Sequence, residues 1–366
     1  MSAASERAGR GSGVLFFGGY DPLYPRNAIL REGLARAGLA VSECRVDGRL
    51  KVHMRYPALI ARFLESRDRG GVMLVPEFRH KDVPLAWALA RCAGRRLVFD
   101  PLVSRYETRV LDRADAARGS AQARHNRNID SISLRLPDLV LADTSAHAEF
   151  YAREFGVPRG RIRVLPVGFD DRLFAEAPPP RGRPVAVLFY GSFLPLHGAE
   201  TIVEAARLLR GEGVRFVLVG AGQTHAEASR RAAGVPAGLV EFRPPVPPSE
   251  LPALVASAGV VLGVFGVTPK TGMVVPNKVF QALAVGRPVV TADTPAMREF
   301  LREGEDFAGV PAGDAAALAA AIARLADDER LRESLGRTGG ARVRSEFNTT
   351  RIGERCAAIF REAGLA

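Results

Sequence analysis

Cysteine and long apolar runs are scarce in this 366-residue sequence. The three cysteines stand far apart, so the sequence predicts neither a disulfide framework nor a zinc knuckle, and it favours a reducing compartment. The polar N-terminal residues do not resemble a secretory signal, and no run approaches the roughly 20 apolar residues of a membrane-spanning helix. We therefore expect a cytoplasmic protein, with the inner face of the cell membrane as an alternative location.

Lysine is also rare. Of the 51 basic side chains only four are lysines, and two of these, Lys270 and Lys278, lie within nine residues of each other. The net charge of +11 favours anionic partners, although an arginine-rich composition from a GC-rich genome would give the same excess. Aromatic residues make up 7% of the chain and form no basic–aromatic module, so no nucleic-acid partner is predicted.

Short unalternated apolar runs and helical patterns follow one another through both halves of the chain. Such runs are typical of parallel strands that are covered on both faces, and the alternation indicates βα units. The predicted strands are 14–17, 72–76, 96–99, 138–142, 162–166, 185–190, 215–219, 239–242, 259–265 and 288–291. The predicted helices are 25–38, 83–94, 144–155, 199–210, 249–257, 277–285 and most of 314–364.

The proline-rich stretch 176–184 interrupts this alternation and predicts a linker. The resulting organisation is an α/β fold with one domain at 1–175, a second at 185–345 and a C-terminal helix at 346–366, for which a return to the first domain is left open. We expect two facing Rossmann-like domains with parallel sheets. Their ligands would bind in an interdomain cleft at the carboxyl ends of the strands.

The two clustered lysines flank the start of a predicted helix. Pro276 suits the first helical position, and Gly286 follows the last helical residue. A helix N-terminus presents unpaired N–H groups and a partial positive charge, which binds phosphate. Lys270 and Lys278 would add two compact cations that suit a diphosphate, and Gln281 would hydrogen-bond sugar hydroxyls. Two solvated surface lysines are the alternative.

Four segments of the chain carry a family resemblance. They are PNKVFQALAVGRPVV at 276–290, FYGSFLPLHGAETIVEAARLL at 189–209, VLVGAGQ at 217–223 and DLVLADTSAHAEFYAREFGVPRGRIRVLPVGFD at 138–170. Together they resemble the Pro-Asn-Lys form of the retaining glycosyltransferases of family 4, which have the GT-B fold. The resemblance implies that the second domain binds a nucleotide sugar and that the first binds the acceptor. It also implies transfer of a hexose-type sugar from a UDP- or GDP-sugar to a glycan or lipid-linked acceptor.

Two positions depart from the family pattern. The family has two glutamates where this chain has Met273 and Gln281. Glutamine can still hold a ribose, whereas methionine cannot replace the contact to the transferred sugar. The family's basic pair is replaced by Ser192 and His197, and His197 would contact phosphate when protonated or else pack at a helix start. The predicted donor and phosphate ligands are Gly18, Gly19, Ser192, His197, Lys270, Thr271, Asn277, Lys278 and Gln281.

The acceptor side is predicted at the ends of strands in the first domain. Two glycines after the first strand allow close approach of a ligand, although a plain strand-to-helix turn would also use them. The predicted acceptor-side residues are Tyr20, Asp21, Arg26 and Asn27. Asp100 and His125 are the predicted catalytic residues. The alternatives are an Asx-type cap for Asp100 and a structural helix residue for His125.

No Asp-x-Asp spacing that would hold a metal–diphosphate complex is present in the sequence. We therefore expect no metal and no cofactor, with the helix dipole and the lysines neutralising the leaving diphosphate. By the resemblance, the leaving phosphate itself accepts the acceptor proton.

The segment 52–69 combines apolar and basic residues and lies in the more basic half of the chain. It predicts peripheral contact with an anionic membrane, or else a helix that packs its apolar face on the sheet. Two other functions remain open, namely a catalytically silent GT-B scaffold that binds a nucleotide or glycan, and a sugar-nucleotide epimerase.

Overall fold

The computed structural model of the protein describes residues 13–66, 70–209 and 213–365. These residues form two compact units. The first unit contains the described residues up to Val110, then Asp115–Val167 and those from Thr349 onward. The second contains Leu111–Ala114 and Gly168–Asn348.

The first unit is built on a parallel sheet. Its strands are β1 Gly13–Gly18, β2 Ala40–Arg45, β3 Val72–Val75, β4 Arg96–Phe99, β5 Leu139–Ala142 and β6 Ile162–Val164. Their order across the sheet is β2-β1-β3-β4-β5-β6. The helices between them are α1 Pro25–Arg36, α2 Val52–Glu65, α3 Val83–Cys92, α4 Ala121–Arg135 and α5 Ser145–Phe155.

The second unit repeats this plan. Its strands are β7 Val185–Gly191, β8 Val214–Gly220, β9 Val240–Arg243, β10 Val260–Leu262, β11 Val289–Ala292 and β12 Ala308–Val310, in the order β12-β11-β10-β7-β8-β9. Its helices are α6 Ala199–Leu208, α7 His225–Ala232, α8 Leu251–Ala256, α9 Asn277–Ala284, α10 Pro295–Phe300, α11 Ala315–Asp327 and α12 Glu329–Glu346. Buried side chains from β7, β8, α6 and α11 form its main core.

The strand orders predict where each unit binds ligands. In an open parallel sheet the crevice lies beyond the carboxyl ends of the strands, at the point where the order reverses. That point falls between β1 and β3 in the first unit and between β7 and β10 in the second. The loops after these four strands therefore carry the candidate sites.

The last helix, α13 Thr349–Glu362, belongs to the first unit and packs on α1. The two helices cross at a pair of glycines. A Cβ on Gly353 would lie 2.0 Å from the carbonyl carbon of Gly33, so the crossing requires glycine. Helix α13 begins at Thr349, three residues after the start of the predicted C-terminal helix at 346–366.

The predicted strands and helices are observed, but four further elements and one boundary differ from the prediction. Helices α7 and α10 were not predicted, and they have only eight and six residues. The additional strands β2 and β12 were not predicted, because β2 is a half-exposed edge strand with polar residues and β12 has only three residues. The second unit begins at Gly168, so the predicted linker 176–184 lies within it. The buried guanidinium of Arg287 holds that stretch, since its Nη2 donates to the carbonyl oxygens of Ala177 at 3.0 Å and Pro178 at 2.5 Å.

Candidate functional site

Two loops meet at the reversal point of the second sheet. The loop after β7 contains His197, and the loop after β10 leads to Lys270. Backbone hydrogen bonds join the loops, from Phe265 N to His197 O at 3.1 Å and from Gly266 N to Leu196 O at 2.9 Å. The fold thus brings together predicted ligands that are more than 70 residues apart in the sequence.

Lys278 lies in the first turn of α9, which begins at Asn277 with Pro276 as its N-cap, one residue later than predicted. Its side chain is only 6% exposed. Its Nζ has no hydrogen-bond acceptor among the described residues and lies 4.0 Å from the ring centroid of Phe189. Burial lowers the pKa of Lys278 to about 7. A buried ammonium with this surrounding is stabilised by an anionic ligand.

The ammonium of Lys278 and the imidazole of His197 converge beside Gly191, at the end of β7. A Cβ at Gly191 would lie 3.0 Å from Lys278 Nζ and 3.3 Å from His197 Cε1. The φ of Gly191 is 154°, a backbone conformation that side chains rarely adopt. Because glycine has no side chain, Gly191 does not cover the Lys278 ammonium or the His197 imidazole.

His197 is buried and neutral. Its Nδ1 accepts a hydrogen bond from Leu194 N at 3.1 Å, so the neutral ring carries its proton on Nε2. Burial and then the charges of Lys278 and Lys270 hold the pKa of His197 well below its usual range. Of the two alternatives for this position, the protonated imidazole is therefore disfavoured, and the Nε2–H group remains as the hydrogen-bond donor.

The remaining predicted donor ligands of the second unit lie on these two loops and on α9. Lys270 and Thr271 are buried in a short turn, where Thr271 Oγ1 finds no hydrogen-bond partner within the described residues. Gln281 is buried, and its Oε1 accepts from the hydroxyl of Tyr190 at 2.9 Å. Ser192 is exposed after β7, whereas Asn277 is half-buried at the start of α9.

In the first unit, the glycines after β1 pack against a buried ion pair. Gly19 N donates to Asp82 Oδ2 at 3.0 Å, and Asp82 Oδ1 accepts from Arg55 Nε at 2.8 Å and Nη2 at 2.6 Å. A Cβ on Gly19 would lie 2.6 Å from Arg55 Cδ, and Gly18 has a φ of 138°. Packing and backbone conformation in the fold thus already favour glycine at these positions.

Asp100 and Arg26 form a fully buried ion pair. Arg26 Nε donates to Asp100 Oδ2 at 2.8 Å and Nη2 donates to Oδ1 at 3.1 Å, while Nη1 donates to the carbonyl oxygen of Pro166 at 2.7 Å. Both carboxylate oxygens are therefore engaged within the protein, because a charge buried this deeply needs a partner. This arrangement disfavours the predicted catalytic role of Asp100 and the predicted acceptor-side role of Arg26, and it links α1 to the end of β4.

The other predicted acceptor-side residues also have partners in the protein. Tyr20 donates from its hydroxyl to Glu43 Oε2 at 2.8 Å. Asn27 Nδ2 donates to Glu77 Oε1 at 2.7 Å and to the carbonyl oxygen of Asp21 at 2.6 Å. Burial, followed by the charge of Asp100, raises the pKa of Glu77 to about 9. Glu77 is consequently a neutral carboxyl at pH 7, and no local sequence signal pointed to it.

His125 lies on the exposed face of α4. A buried histidine, His147, lies in the first turn of α5. Its Nε2 lies 2.9 Å from Glu107 Oε1, and its Nδ1 contacts Asp143. Although burial lowers it, these two carboxylates raise the pKa of His147 to about 10. The catalytic role of His125 stays a prediction, and the sequence signal for the buried His147 was Asp143, the carboxylate that directly follows β5.

Helix α2 exposes apolar side chains on one side. Met54 and Leu64 are 54% and 76% exposed, and Ile60 is also exposed, whereas Leu59 is buried against the unit. Arg67 and Arg69, which we included in the predicted basic segment, lie outside the described residues. The buried Leu59 fits a helix that packs on the sheet, and the exposed apolar residues fit contact with a membrane.

Two kinds of feature are absent from the described part of the chain. Residues 13–66, 70–209 and 213–365 contain no cluster of histidine, cysteine, aspartate and glutamate that is arranged to hold a metal ion. None of the helices in these ranges combines the length and apolarity needed to cross a membrane.

Comparison with known proteins shows similarity to glycosyltransferases. Residues 184–328 match the family model "Glycosyl transferases group 1". The chain is 28% identical over 337 residues to the D-inositol 3-phosphate glycosyltransferase of Acidothermus cellulolyticus, covering 86% of this chain and 72% of that protein. It is 33% identical over 189 residues to the phosphatidyl-myo-inositol mannosyltransferase of Mycobacterium leprae, covering 49% of this chain and 48% of that protein.

Solved structures resemble the fold. Sucrose-phosphate synthase from Thermosynechococcus elongatus has a TM-score of 0.73 at 20% identity, covering 96% of this chain and 99% of that one. Anabaena Alr3699/HepE in complex with UDP and glucose has a TM-score of 0.70 at 15% identity, with the same coverage. Together with the two parallel sheets, these similarities confirm the predicted GT-B fold class.

Proposed function

We propose that this chain, whose residues 184–328 match the group 1 glycosyltransferases, transfers a hexose-type sugar with retention of configuration. The donor is a UDP- or GDP-sugar held by the second unit, and the acceptor is a hydroxyl group of a glycan or lipid-linked molecule. The observation that carries this proposal is the buried ammonium of Lys278, beside the Nε2–H donor of His197.

A diphosphate fits this group of donors better than a neutral ligand does. Leaving a buried ammonium without an acceptor is costly, and a phosphate oxygen removes that cost through a charge-assisted hydrogen bond. The N-terminus of α9 adds a partial positive charge next to Lys278. Thr271 Oγ1, buried in the neighbouring turn, supplies a further hydroxyl donor.

These groups also suit the chemistry of transfer. The bond between the sugar anomeric carbon and the diphosphate oxygen breaks, and a bond from that carbon to the acceptor oxygen forms on the same face of the sugar. The acceptor proton passes to the departing phosphate oxygen, so no separate protein base is needed. Lys278, Lys270 and His197 stabilise the negative charge that develops on the diphosphate, without a metal ion.

Gln281 takes the place of a family glutamate at the ribose. Its Oε1 is held by the Tyr190 hydroxyl at 2.9 Å, which orients the amide so that its NH₂ group is the donor to a ribose hydroxyl. The substitution of Met273 removes a carboxylate contact to the sugar. We therefore propose that backbone amide groups of the loop after β10 hold the transferred hexose.

Similar proteins support the substrate class. One solved structure with this fold holds UDP and glucose, which supports a uridine donor. Two relatives are named for inositol phosphate and phosphatidylinositol substrates, which supports a polyol or a lipid-linked acceptor.

A donor panel tests this function. We would incubate the protein with UDP- and GDP-hexoses and soluble glycoside acceptors, measure release of the nucleoside diphosphate, and determine the anomeric configuration of the product by NMR. We expect one donor to react with retention, and Lys278→Met to reduce kcat about 10²–10³-fold, as for loss of one transition-state donor. Lys51→Met, which removes an exposed lysine, should leave the rate unchanged.

Other outcomes would point elsewhere. Nucleotide binding without turnover of any donor supports a catalytically silent scaffold. Conversion of the donor into an epimer without acceptor supports an epimerase. A product of inverted configuration contradicts the proposed stereochemistry.

A further inference from the structure

A groove of about 650 Å³ lies in the first unit, where the loops after β1 and β2 come together. Its charged lining consists of four arginines and two aspartates, which leaves two net positive charges. These residues are Arg45, Arg49, Arg62, Arg79, Asp21 and Asp47. The groove therefore combines room for a small molecule with an excess of guanidinium donors.

The floor of the groove is fixed by a close backbone contact. A Cβ on Gly48 would lie 2.2 Å from the carbonyl oxygen of Gly19 and 3.1 Å from Arg79 Nη1. Arg79 Nη1 donates to the carbonyl oxygen of Gly48 at 3.3 Å, so its guanidinium lies over this glycine. The absence of a side chain at Gly48 thus sets both the contact between the loops and the position of Arg79.

The arginines of the groove are poorly neutralised by the protein. The structure records no ion pair for Arg49, Arg62 or Arg79 within residues 13–66, 70–209 and 213–365. In the same described ranges, Arg79 Nε is buried without a hydrogen-bond acceptor. Arg45 Nε lies 3.5 Å from Glu43 Oε2, but Glu43 also contacts Arg31 and Tyr20.

The buried arginines elsewhere in this unit are arranged differently. Arg26 and Arg55 each bind a carboxylate through two nitrogens, with Asp100 and Asp82 respectively. A guanidinium that fixes the fold is paired in this way, because an unpaired buried charge is costly. Arg49 and Arg62 of the groove are exposed, whereas Arg79 is partly buried and its Nε has no acceptor within the described residues; this open donor points to a ligand.

We infer that this arginine groove binds the phosphoryl group of an acceptor-side ligand, separately from the donor site of the second unit. A phosphate monoester carries about −1.5 to −2 charges at pH 7, which matches the two net positive charges. The phosphodiester of a phospholipid headgroup carries a single negative charge, and guanidinium forks bind the oxygens of either group in pairs. The inference rests on the proposed function for its assumption of an acceptor. The phosphoryl group belongs either to a soluble phosphate ester or to a phospholipid headgroup.

The test uses the full chain saturated with UDP, so that the lysine site is occupied. Glucose 6-phosphate and inorganic phosphate are titrated by calorimetry, with glucose as the uncharged comparison. We expect the double variant Arg45→Gln/Arg49→Gln to weaken binding of both phosphates at least tenfold. Arg118→Gln/Arg153→Gln removes the same charge from exposed residues of the same unit outside the groove and should leave binding unchanged.

A second arm identifies the source of the phosphoryl group. Vesicles of phosphatidylcholine with and without phosphatidylinositol are sedimented with wild type and both double variants. Loss of binding in the groove variant alone assigns the site to a phospholipid headgroup, whereas phosphate binding without vesicle binding assigns it to a soluble ester.

The inference is overturned if neither the phosphates nor the vesicles bind, or if both double variants lose binding equally. UDP binding separates this failure from failure of the proposed function. Intact UDP binding with binding of neither phosphates nor vesicles contradicts the groove alone, whereas a wild type that binds neither UDP nor GDP contradicts the proposed donor site.

Discussion

At the scale of single residues, Lys278 determines what the second unit can bind. Lysine is scarce in this sequence, which made Lys278 a candidate ligand. In the structure its side chain is buried beside Phe189 and His197. Cation–π contact with Phe189 compensates only part of the lost hydration. The side chain is thus costly to the unliganded fold, which is typical of residues retained for binding.

Replacement of Lys278 by methionine is expected to stabilise the protein. The folded pKa of about 7 lies below the ordinary lysine value of 10.5, so the charged form is disfavoured in the fold. The resulting destabilisation is complete below pH 7 and disappears as the pH rises towards 10.5. At pH 6, Lys278→Met should gain at least about 1 kcal/mol, or about 2–4 °C in Tm.

Calorimetric unfolding at pH 6 and pH 10 measures this difference. Lys51→Met, at an exposed position, is the matched control and should leave Tm unchanged. A lower Tm for Lys278→Met at pH 6 would show that the lysine stabilises the fold. That result would contradict the claim that Lys278 destabilises the unliganded protein and serves to bind a ligand.

Binding of UDP is expected to weaken above pH 7. The bound diphosphate favours the charged ammonium, so at higher pH binding must be accompanied by uptake of a proton. The affinity should therefore fall by up to about tenfold per pH unit from pH 7 to pH 9, and stay nearly constant from pH 6 to pH 7. Calorimetry across this range measures it, and Lys278→Met should bind weakly without this slope. A wild-type affinity that does not change between pH 7 and pH 9 would contradict titration of Lys278.

Local sequence signals were enough to propose a phosphate-binding role for the clustered lysines, but they did not predict which residues pair with the buried charges. Lys270 and Lys278 stood out through composition and their position near a helix start. Asp100 was predicted to be catalytic because it follows a strand, and its engagement by Arg26 depends on a contact across 74 positions of the chain. The contact of His147 with Glu107 was not predictable for the same reason, since Glu107 approaches it from a different segment.

At the scale of secondary-structure elements, α2 offers a surface for an anionic membrane. Met54, Ile60 and Leu64 are exposed on this helix, and Arg62 and Lys51 add positive charge. Such a combination favours the interface of an anionic bilayer. We propose peripheral membrane contact through this side of α2.

Vesicle sedimentation tests this proposal. The wild type should bind vesicles that contain phosphatidylglycerol at low salt, and Met54→Glu/Leu64→Glu should lose most of that binding. Ile132→Glu, at an apolar residue of α4 that is 53% exposed, is the control and should bind normally. A wild type that ignores anionic vesicles would exclude this surface.

Elements with strong apolar runs were predictable, and short or exposed ones were not. The β1 and β7 strands are almost entirely buried and have the apolar composition typical of a central parallel strand. Strand β2 lies at the sheet edge with mixed polarity, so its sequence resembles a loop.

At the scale of the whole molecule, the first unit depends on residues from both ends of the described chain. Helix α13 packs on α1, and the contact between Gly33 and Gly353 allows the close approach. The predicted domain boundaries 175 and 185 differ from Gly168, where the main segment of the second unit begins. The prediction rested on the proline-rich composition of 176–184, and the sequence gives no signal for the hydrogen bonds that Arg287 donates to this stretch.

Enlarging the α1–α13 crossing should destabilise the first unit. Gly353→Ala places a methyl group against the backbone of Gly33 and should cost about 1–3 kcal/mol, despite the better helix propensity of alanine. Denaturant unfolding followed by circular dichroism measures this. Gly160→Ala, at an exposed position with open space around its Cβ, is the control. Equal stability of both variants would contradict the tight crossing.

The central claim is that the buried lysine of the second unit is a ligand for a nucleoside diphosphate. Calorimetric titration of UDP, GDP, ADP and TDP into wild type and Lys278→Met, without metal ions, tests it most directly. We predict that one nucleotide binds with micromolar affinity, about −8 kcal/mol, and that loss of the lysine weakens binding by about 1–3 kcal/mol. If the folded wild type binds none of the four, or if Lys278→Met binds equally well, the claim is contradicted.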